Sequence, residues 1–250
     1  KDPEQETCLL RLLALWKRYR ETGDADYLVS MYYQHLAECY RLQEKYAQEE
    51  AAYREKLGPN KAQWKEEWIL DLLARSCERQ QKLTDAEEIY TLAIRAAEGR
   101  EPRNLYGIAE RAKNLAAFYE RQGNSEKALL LRQQQLALLE QAYGTTDEIA
   151  LLPALADLAR SLAAQGQQAE LLVVANRSTV IAKKLTGKQD YQQALLVNQG
   201  EVLLLTGNAP DAILLFDQVM PVLDNKNNGN RLQLARCWEL YARALRLRKR

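Results

Sequence analysis

Histidine is almost absent from this sequence, which has His35 alone among its 250 residues. A single histidine excludes zinc motifs that need two, and it leaves a histidine-based catalytic triad without further support. The cysteines form no C-x-x-C pair, and their spacings match no zinc site. Each lies in an apolar helical pattern, so we predict free, buried thiols at Cys8, Cys39, Cys77 and Cys237.

Motifs for phosphate binding and for acid–base catalysis are also missing. The sequence has no G-x-G-x-x-G and no G-x-x-x-x-G-K-[ST], and the Gly187-Lys188 pair lacks the flanking residues of a phosphate loop. Adjacent glutamates such as Glu66 and Glu67 lie among compensating arginines and lysines, which is typical of a solvated helix face. We therefore predict no catalytic, cofactor-binding or metal-binding residue, and no enzyme activity.

Charge and hydrophobicity exclude two classes of partner. The chain has 35 lysines and arginines against 34 acidic residues, so we expect no nucleic acid, which usually requires a basic face. Its apolar runs are far shorter than the roughly 20 residues that span a bilayer, so we expect no membrane span. Free cysteines favour a reducing compartment. We expect a cytoplasmic location, with a periplasmic or otherwise exported one left open.

Helix-forming residues are abundant, and glycines interrupt them at regular intervals. One series recurs every 35 to 45 residues, at Gly23, Gly58, Gly99, Gly144, Gly187 and Gly229. A second series lies between its members, at Gly123, Gly166 and Gly207, and extrapolates back to Gln81 and Glu44. Because glycine commonly ends helices, the two interleaved series predict two helices, A and B, in each repeat.

Small residues recur at a fixed point in each predicted helix. Helix A carries Ala37, Ala74, Ala116, Ala159 and Gly200, and a further step reaches Ala242. Helix B carries Ala86, Ala128 and Ala212, and a larger residue such as Tyr90 or Phe216 follows one turn later. Small residues at a fixed point let paired helices approach closely.

These positions resemble the tetratricopeptide repeat (TPR) family, and a period near 42 residues resembles its kinesin light chain subtype. The second repeat matches the family pattern at Leu70, Leu73, Ala74, Cys77, Gln81, Ala86, Tyr90 and Ala93. The last helix matches at Trp238, Ala242 and Leu245. The pattern is broken by Glu49 and Leu171, where a small residue is expected, and by Gln199, where leucine is expected.

The resemblance implies an all-α fold, a right-handed superhelical solenoid of antiparallel helix pairs with about five and a half repeats. We expect a single solenoid over residues 1–250, and a fragment of a longer protein because the sequence starts at Lys1 without an initiator methionine. Its parts are a capping helix at 4–22, repeats at approximately 28–58, 62–99, 104–144, 148–187 and 190–229, and a final helix at 231–250.

By the same resemblance, one face of the A helices lines a concave groove. The candidates for partner binding in this groove are Gln34, Glu38, Arg41, Asp71, Arg75, Glu78, Lys113, Asn114, Asp157, Arg160, Asn198 and Glu201. The set lacks the basic combination that clamps a peptide carboxylate in chaperone-binding members, so we do not predict that ligand. At least one of Tyr33, Trp64 and Trp68 is a candidate aromatic anchor for a ligand.

The predicted function is a non-catalytic scaffold that binds a segment of another protein along this groove, or packs against another domain of its own chain. The alternative is a regulatory sensor, the solenoid of a larger signalling or transcriptional protein that takes a small ligand. Self-association into a homo-oligomer is a third possibility. The fold alone does not choose among them, because one architecture serves many tasks.

Overall fold

The computed structural model describes residues 3–18, 25–61, 64–144, 148–185, 190–224 and 231–248. Within these ranges the chain is all-α, with twelve α-helices, a turn of 3-10 helix at Glu148–Leu151 and no strand. The helices are α1 (Pro3–Arg18), α2 (Ala25–Leu42), α3 (Tyr46–Leu57), α4 (Glu67–Arg79), α5 (Leu83–Glu98), α6 (Leu105–Arg121), α7 (Ser125–Tyr143), α8 (Leu152–Ala164), α9 (Gln168–Ala182), α10 (Asp190–Leu205), α11 (Ala209–Leu223) and α12 (Arg231–Arg248).

From α2 onward, the even-numbered helices are the predicted A helices and the odd-numbered ones the B helices. Each turn from an A helix to its B helix contains a residue with positive φ where the second series predicted it. Three are glycines, Gly123, Gly166 and Gly207, with φ of 73°, 69° and 82°. Glu44 and Gln81 take the same place with φ of 61° each, which confirms the backward extrapolation. A left-handed residue here ends the helix and reverses the chain.

The chain divides into two compact units, and the first is Lys1–Leu115. Its helices pack in succession, α1 on α2, α2 on α3, α3 on α4 and α4 on α5. The small A-helix residues Ala37 and Ala74 are fully buried, as predicted. Burial of large apolar side chains stabilises the unit by about 1.5–3 kcal/mol each. The largest of these are Tyr53, Ile69, Leu70, Leu73, Ile89, Tyr90 and Ile108.

The second unit is Ala116–Arg250. Here α8 packs on α7, α9 and α10, while α10 packs on α11 and α12, so the A helices α8, α10 and α12 are successive neighbours. The small positions Ala116, Ala159 and Gly200 are buried. A Cβ added at Gly200 would lie 2.3 Å from Phe216 Cε1, so α10 and α11 approach one another closely at this point.

The residues of the last helix that match the family pattern lie on its exposed face. Trp238, Ala242 and Leu245 are exposed on α12, whereas Cys237 and Ala244 are fully buried against α10 and α11. In four earlier repeats the B helix that follows packs on its A helix, as α3 does on α2, α5 on α4, α9 on α8 and α11 on α10. No helix follows α12 within the described residues, so its Trp238 face stays exposed.

Three of the four predicted buried thiols are buried. Cys39, Cys77 and Cys237 are free and buried, and burial raises the pKa of Cys77 and Cys237 to about 11 each. Cys8 is free but exposed, which corrects the prediction for that residue. The reason is its position on α1, which turns Leu9 and Leu13 toward the core instead.

Candidate functional site

The predicted groove residues on α2 pair with each other. Arg41 Nε lies 2.7 Å from Glu38 Oε2, three residues away on the same helix. This hydrogen bond lowers the pKa of the Glu38 carboxyl, even though partial burial opposes the shift. Gln34, one turn earlier, is half-buried.

A second cluster in unit 1 joins α4 to α6. Arg75 Nη2 donates to Asn114 Oδ1 over 3.0 Å, and Asn114 Nδ2 donates to Asp71 Oδ2 over 2.6 Å. Arg111 Nη1 lies 2.9 Å from the same carboxylate oxygen. Asp71 is buried and Arg75 is exposed. Asn114 therefore links a buried carboxylate to an arginine at the surface.

The buried environment of the Asp71 carboxyl disfavours its ionised form. Burial raises its pKa to about 6, against the opposing effects of Arg111 and the Asn114 hydrogen bond. Among the described residues, none donates a hydrogen bond to its Oδ1. Perturbed carboxyls are common at functional sites, but structural networks perturb them as well. The contacts of Asp71 indicate a structural network, because they orient Asn114 and Arg111.

The other two predicted residues of unit 1 also contact neighbouring side chains. Tyr90 Oη donates to Glu78 Oε2 over 3.4 Å, which joins α5 to α4. Lys113 Nζ lies 3.3 Å from Glu110 Oε2, one turn earlier on α6. The unit 1 candidates thus form several small clusters instead of one site.

In unit 2, the candidates Asp157, Arg160 and Glu201 belong to one continuous series of ion pairs. The series begins at Arg132 on α7, whose side chain is buried. Its Nη2 lies 2.9 Å from Glu120 Oε2, and its Nη1 lies 2.9 Å from Asp157 Oδ2. Asp157 also forms an ion pair with Arg160, three residues later on α8.

The series of ion pairs continues across α10 to α12. Arg160 Nη1 lies 2.7 Å from Glu201 Oε2, and Arg236 Nη2 approaches the same oxygen to 2.5 Å. The carboxylates of Asp157 and Glu201 are mostly buried, whereas the side chains of Arg160 and Arg236 are 38% and 37% exposed. A partner along α8, α10 and α12 would therefore meet guanidinium groups that buried carboxylates hold in place. Asn198, on the same α10, is half-buried.

Glu120 shows the opposite electrostatics to Asp71. Burial alone would raise its pKa, but hydrogen bonds from Arg132 and Ser161 outweigh that effect and lower it. Arg132 Nε and Ser161 Oγ both donate to Glu120 Oε1, over 3.0 Å each. Its ionised form is therefore stabilised by the fold.

Arg132, the centre of this network, was not predicted. The sequence does carry a signal for it, because Arg132 follows Ala128 by four residues, as Tyr90 follows Ala86 and Phe216 follows Ala212. A charged side chain at an aromatic core position requires buried counter-ions. Arg111 and Arg236 also belong to these clusters and were not predicted. Neither residue replaces a type that the repeat pattern expects, so the sequence carries no signal for them.

Two of the three candidate aromatic anchors are core residues. Tyr33 and Trp64 are buried. Tyr33 Oη donates to Glu55 Oε1 over 3.2 Å, and Trp64 Nε1 donates to the Gly58 carbonyl over 3.0 Å. Only Trp68 of these three is exposed, with Lys56 Nζ 4.5 Å from its ring centroid.

Neither a metal site nor a membrane-spanning helix occurs among the described residues. Within the described ranges, no three His, Cys, Asp or Glu side chains gather closely enough to hold a metal ion. Likewise, no helix in that part of the chain combines the length and hydrophobicity needed to cross a bilayer.

Several solved structures of helical repeat proteins are similar to this chain. BtubC (BKLC) from P. vanneervenii superimposes with a TM-score of 0.62 at 17% identity, over 99% of this chain and 91% of that one. A putative kinesin light chain of nearly identical TPR-like repeats, from Podosopora anserina, gives a TM-score of 0.51 at 16% identity, over 89% and 98%. The C-terminal part of a TPR repeat-containing protein from Cytophaga hutchinsonii gives 0.53 at 10% identity, over 96% and 94%.

This chain has a TPR-like fold. Identities of 10 to 17% show the architecture and nothing finer. No protein-family model matches the sequence, and no curated protein matches it. The TPR-like fold confirms the resemblance drawn from the repeat pattern, including its likeness to kinesin light chain repeats.

Proposed function

We propose that this TPR-like chain is a non-catalytic protein-interaction scaffold that binds a segment of a partner protein along its A helices. The binding surface lies in unit 2 and is defined by two arginines, Arg160 on α8 and Arg236 on α12, which both contact Glu201 on α10. The TPR-like fold supports the scaffold role by analogy, since stacked helix pairs build extended binding surfaces. The contacts of the arginines support the location.

The contacts of Arg160 carry the proposal. Its guanidinium is held by Asp157 and Glu201, two carboxylates on different helices, and more than a third of its side chain remains exposed. An arginine already fixed in one orientation loses less side-chain entropy when a ligand binds. Because a guanidinium has five N–H donors, pairing with carboxylates beneath it leaves donors for acceptors above it.

The chemistry of these arginines specifies the kind of partner. Exposed guanidinium donors favour carboxylates and backbone carbonyl oxygens over cations. In unit 1, Arg75 is also exposed, and its guanidinium donates a hydrogen bond to the Asn114 side chain. We therefore expect the partner segment to be extended or helical, and to carry aspartate or glutamate side chains.

A selection from a library of random linear peptides tests this proposal. We expect the selected peptides to be rich in aspartate and glutamate. The enrichment should be lost on an Arg236→Glu variant and kept on Arg177→Glu. Arg177 is a matched control, because its side chain is 43% exposed and pairs with Glu140 on the B helices.

Two results would contradict the proposal. One is a selection without acidic enrichment, and the other is the same loss of enrichment in both variants. Turnover of a substrate by the purified chain, tested separately with a panel of hydrolase and transferase substrates, would contradict the non-catalytic part alone.

A further inference from the structure

A cavity of about 510 Å³ opens between α9, α10 and α11 in unit 2. Its apolar wall consists of Leu196, Leu203, Leu214, Leu215, Val219 and Val222. This volume falls within the roughly 300–1,000 Å³ of small-molecule sites, which are mostly apolar with a few placed polar groups. The B helices α9 and α11 form two of its sides, so it is separate from the arginines of α8 and α12.

The amide of Gln199 is one of several polar groups that line the cavity, together with the side chains of Thr179, Gln193 and Gln218. Gln199 is only 5% exposed and lines the cavity. Its Nε2 donates to Thr179 Oγ1 over 2.7 Å, and the Thr179 hydroxyl donates to the Ala175 carbonyl over 2.8 Å. Since the threonine has one hydroxyl proton, it can only accept from Gln199, which fixes the orientation of the amide.

That orientation leaves the amide oxygen without a donor. Among the described residues, none donates a hydrogen bond to Gln199 Oε1. A buried acceptor in this state destabilises a fold, and it is satisfied when a bound molecule supplies an N–H or O–H group.

The fold itself does not require an amide at this position. The residue just before the small A-helix residue is leucine in the other four repeats, at Leu36, Leu73, Leu115 and Leu158, and all four are buried. Gln199 is the exception among the five, and it lies at the cavity. The residue that departs from the repeat pattern therefore also lines the cavity, and its Oε1 is the acceptor without a donor.

We propose that this cavity binds a small neutral molecule with an apolar body and one N–H or O–H group that donates to Gln199 Oε1. A charged ligand is disfavoured because burying an ion against leucine and valine is costly without a buried counter-ion. The charged residues at the cavity, Lys183 and Asp211, are exposed. This site is independent of the proposed partner surface and matches the sensor alternative drawn from the sequence.

Two fluorescent probes that differ only in the substituent on one nitrogen, hydrogen or methyl, test the site. N-phenyl-1-naphthylamine is neutral, apolar and carries one N–H, while its N-methyl derivative lacks that donor. Both brighten when they leave water. We expect the intact chain to bind the N–H probe about tenfold more tightly than the methylated one, because only the first satisfies Gln199.

Variants of the full chain separate the cavity from general hydrophobic surface. Gln199→Leu, which installs the residue of the other repeats, should abolish the preference while leaving the chain folded by circular dichroism. Leu214→Trp narrows the cavity at an exposed position and should weaken both probes. Leu172→Trp, exposed on α9 but outside the cavity, should change neither. Equal binding of the two probes to the intact chain, or a preference that survives Gln199→Leu, would overturn the proposal.

Discussion

Two successive B helices, α5 in unit 1 and α7 in unit 2, carry different side chains at the same buried repeat position. In unit 1 the residue is Tyr90, whose hydroxyl donates to Glu78 over 3.4 Å. In unit 2 it is Arg132, which forms hydrogen bonds of 2.9 and 3.0 Å with Glu120. Glu120 occupies the place of Glu78 in its own repeat. The backbone position is shared, and the chemistry around it is not.

The difference shows how one residue in a B helix organises the A-helix surface. A tyrosine fills its space with a neutral ring and needs one partner for its hydroxyl. A buried arginine needs carboxylates, and Arg132 takes them from Glu120 on α6 and Asp157 on α8. Asp157 in turn pairs with Arg160, so the ordered arginine at the surface depends on the arginine in the core.

Removing the core arginine should have the largest effect on stability. We expect Arg132→Met to lower the free energy of unfolding by about 3–5 kcal/mol, because two carboxylates lose their buried counter-ion. Urea denaturation measures the change. Arg132→Tyr restores the side chain found in the preceding repeat, and it should lose less. Equal losses in the two variants would contradict a role for unpaired carboxylates.

The buried Asp71 and the partly exposed Glu120 should give stability opposite dependences on pH. The Asp71 pKa of about 6 in the folded chain lies above its ordinary value of 3.8. Between these values the folded chain holds more protons than the unfolded chain, so stability falls as the pH rises. A raised pKa of this size corresponds to about 3 kcal/mol at most. Glu120, whose pKa is lowered, loses its contribution only as the pH falls below its ordinary value of 4.5.

Unfolding free energies measured between pH 5 and about pH 7.5 check this sign, because they include the upper part of the fall expected for Asp71 and lie above the range in which Glu120 titrates. Asp71→Asn should flatten the part of the fall that belongs to Asp71. The level of stability is a poorer readout, because this variant also leaves Arg111 without its ion pair. A slope that is unchanged in Asp71→Asn would assign the pH dependence to another group.

A third occupant of the same helix-B position extends the comparison. Phe216 lies against Gly200, where an added Cβ would come within 2.3 Å of the ring. We expect Gly200→Ala to cost about 1–3 kcal/mol in thermal or urea unfolding, because the packed ring cannot move aside freely. Gly200→Ala combined with Phe216→Leu should recover part of the loss. A Gly200→Ala variant as stable as the intact chain would show that α10 and α11 separate easily.

The smallest expected effect on stability is at the surface of unit 1. Arg75→Gln removes an exposed hydrogen bond to Asn114 and should change the free energy of unfolding by less than about 1 kcal/mol. Urea denaturation measures the change. A loss of several kcal/mol would show that the Arg75–Asn114 contact is part of the structural core of unit 1.

The periodic features of this fold could be predicted from the sequence. The second glycine series located the turns from helix A to helix B, even where Glu44 and Gln81 replace glycine, because these turns share a residue with positive φ. Three glycines of the first series lie outside the described residues, namely Gly23, Gly187 and Gly229. The small residues at Ala37, Ala74 and Ala159 marked where the helices approach. These features repeat, so each copy supports the others.

The features that occur once could not be predicted in the same way. The exposure of Trp238 depends on which helices pack against α12, and the local pattern does not contain that information. The pairing of Asp157 with Arg160 could be guessed from their spacing, but its link to Arg132 joins residues from different repeats. Gln199 was recognised as a departure from the pattern, and the cavity beside it became visible only when α9 and α11 were in place.

An exchange of charge between the chain and a bound peptide tests the arginine-lined surface most directly. An acidic peptide selected on the intact chain should bind Arg236→Glu about tenfold more weakly, and Arg177→Glu with unchanged affinity. Replacing the acidic residues of the peptide by lysine should restore binding to Arg236→Glu and not to the intact chain. If the lysine peptide binds both forms alike, or if both variants weaken the acidic peptide equally, the A helices are not the partner surface.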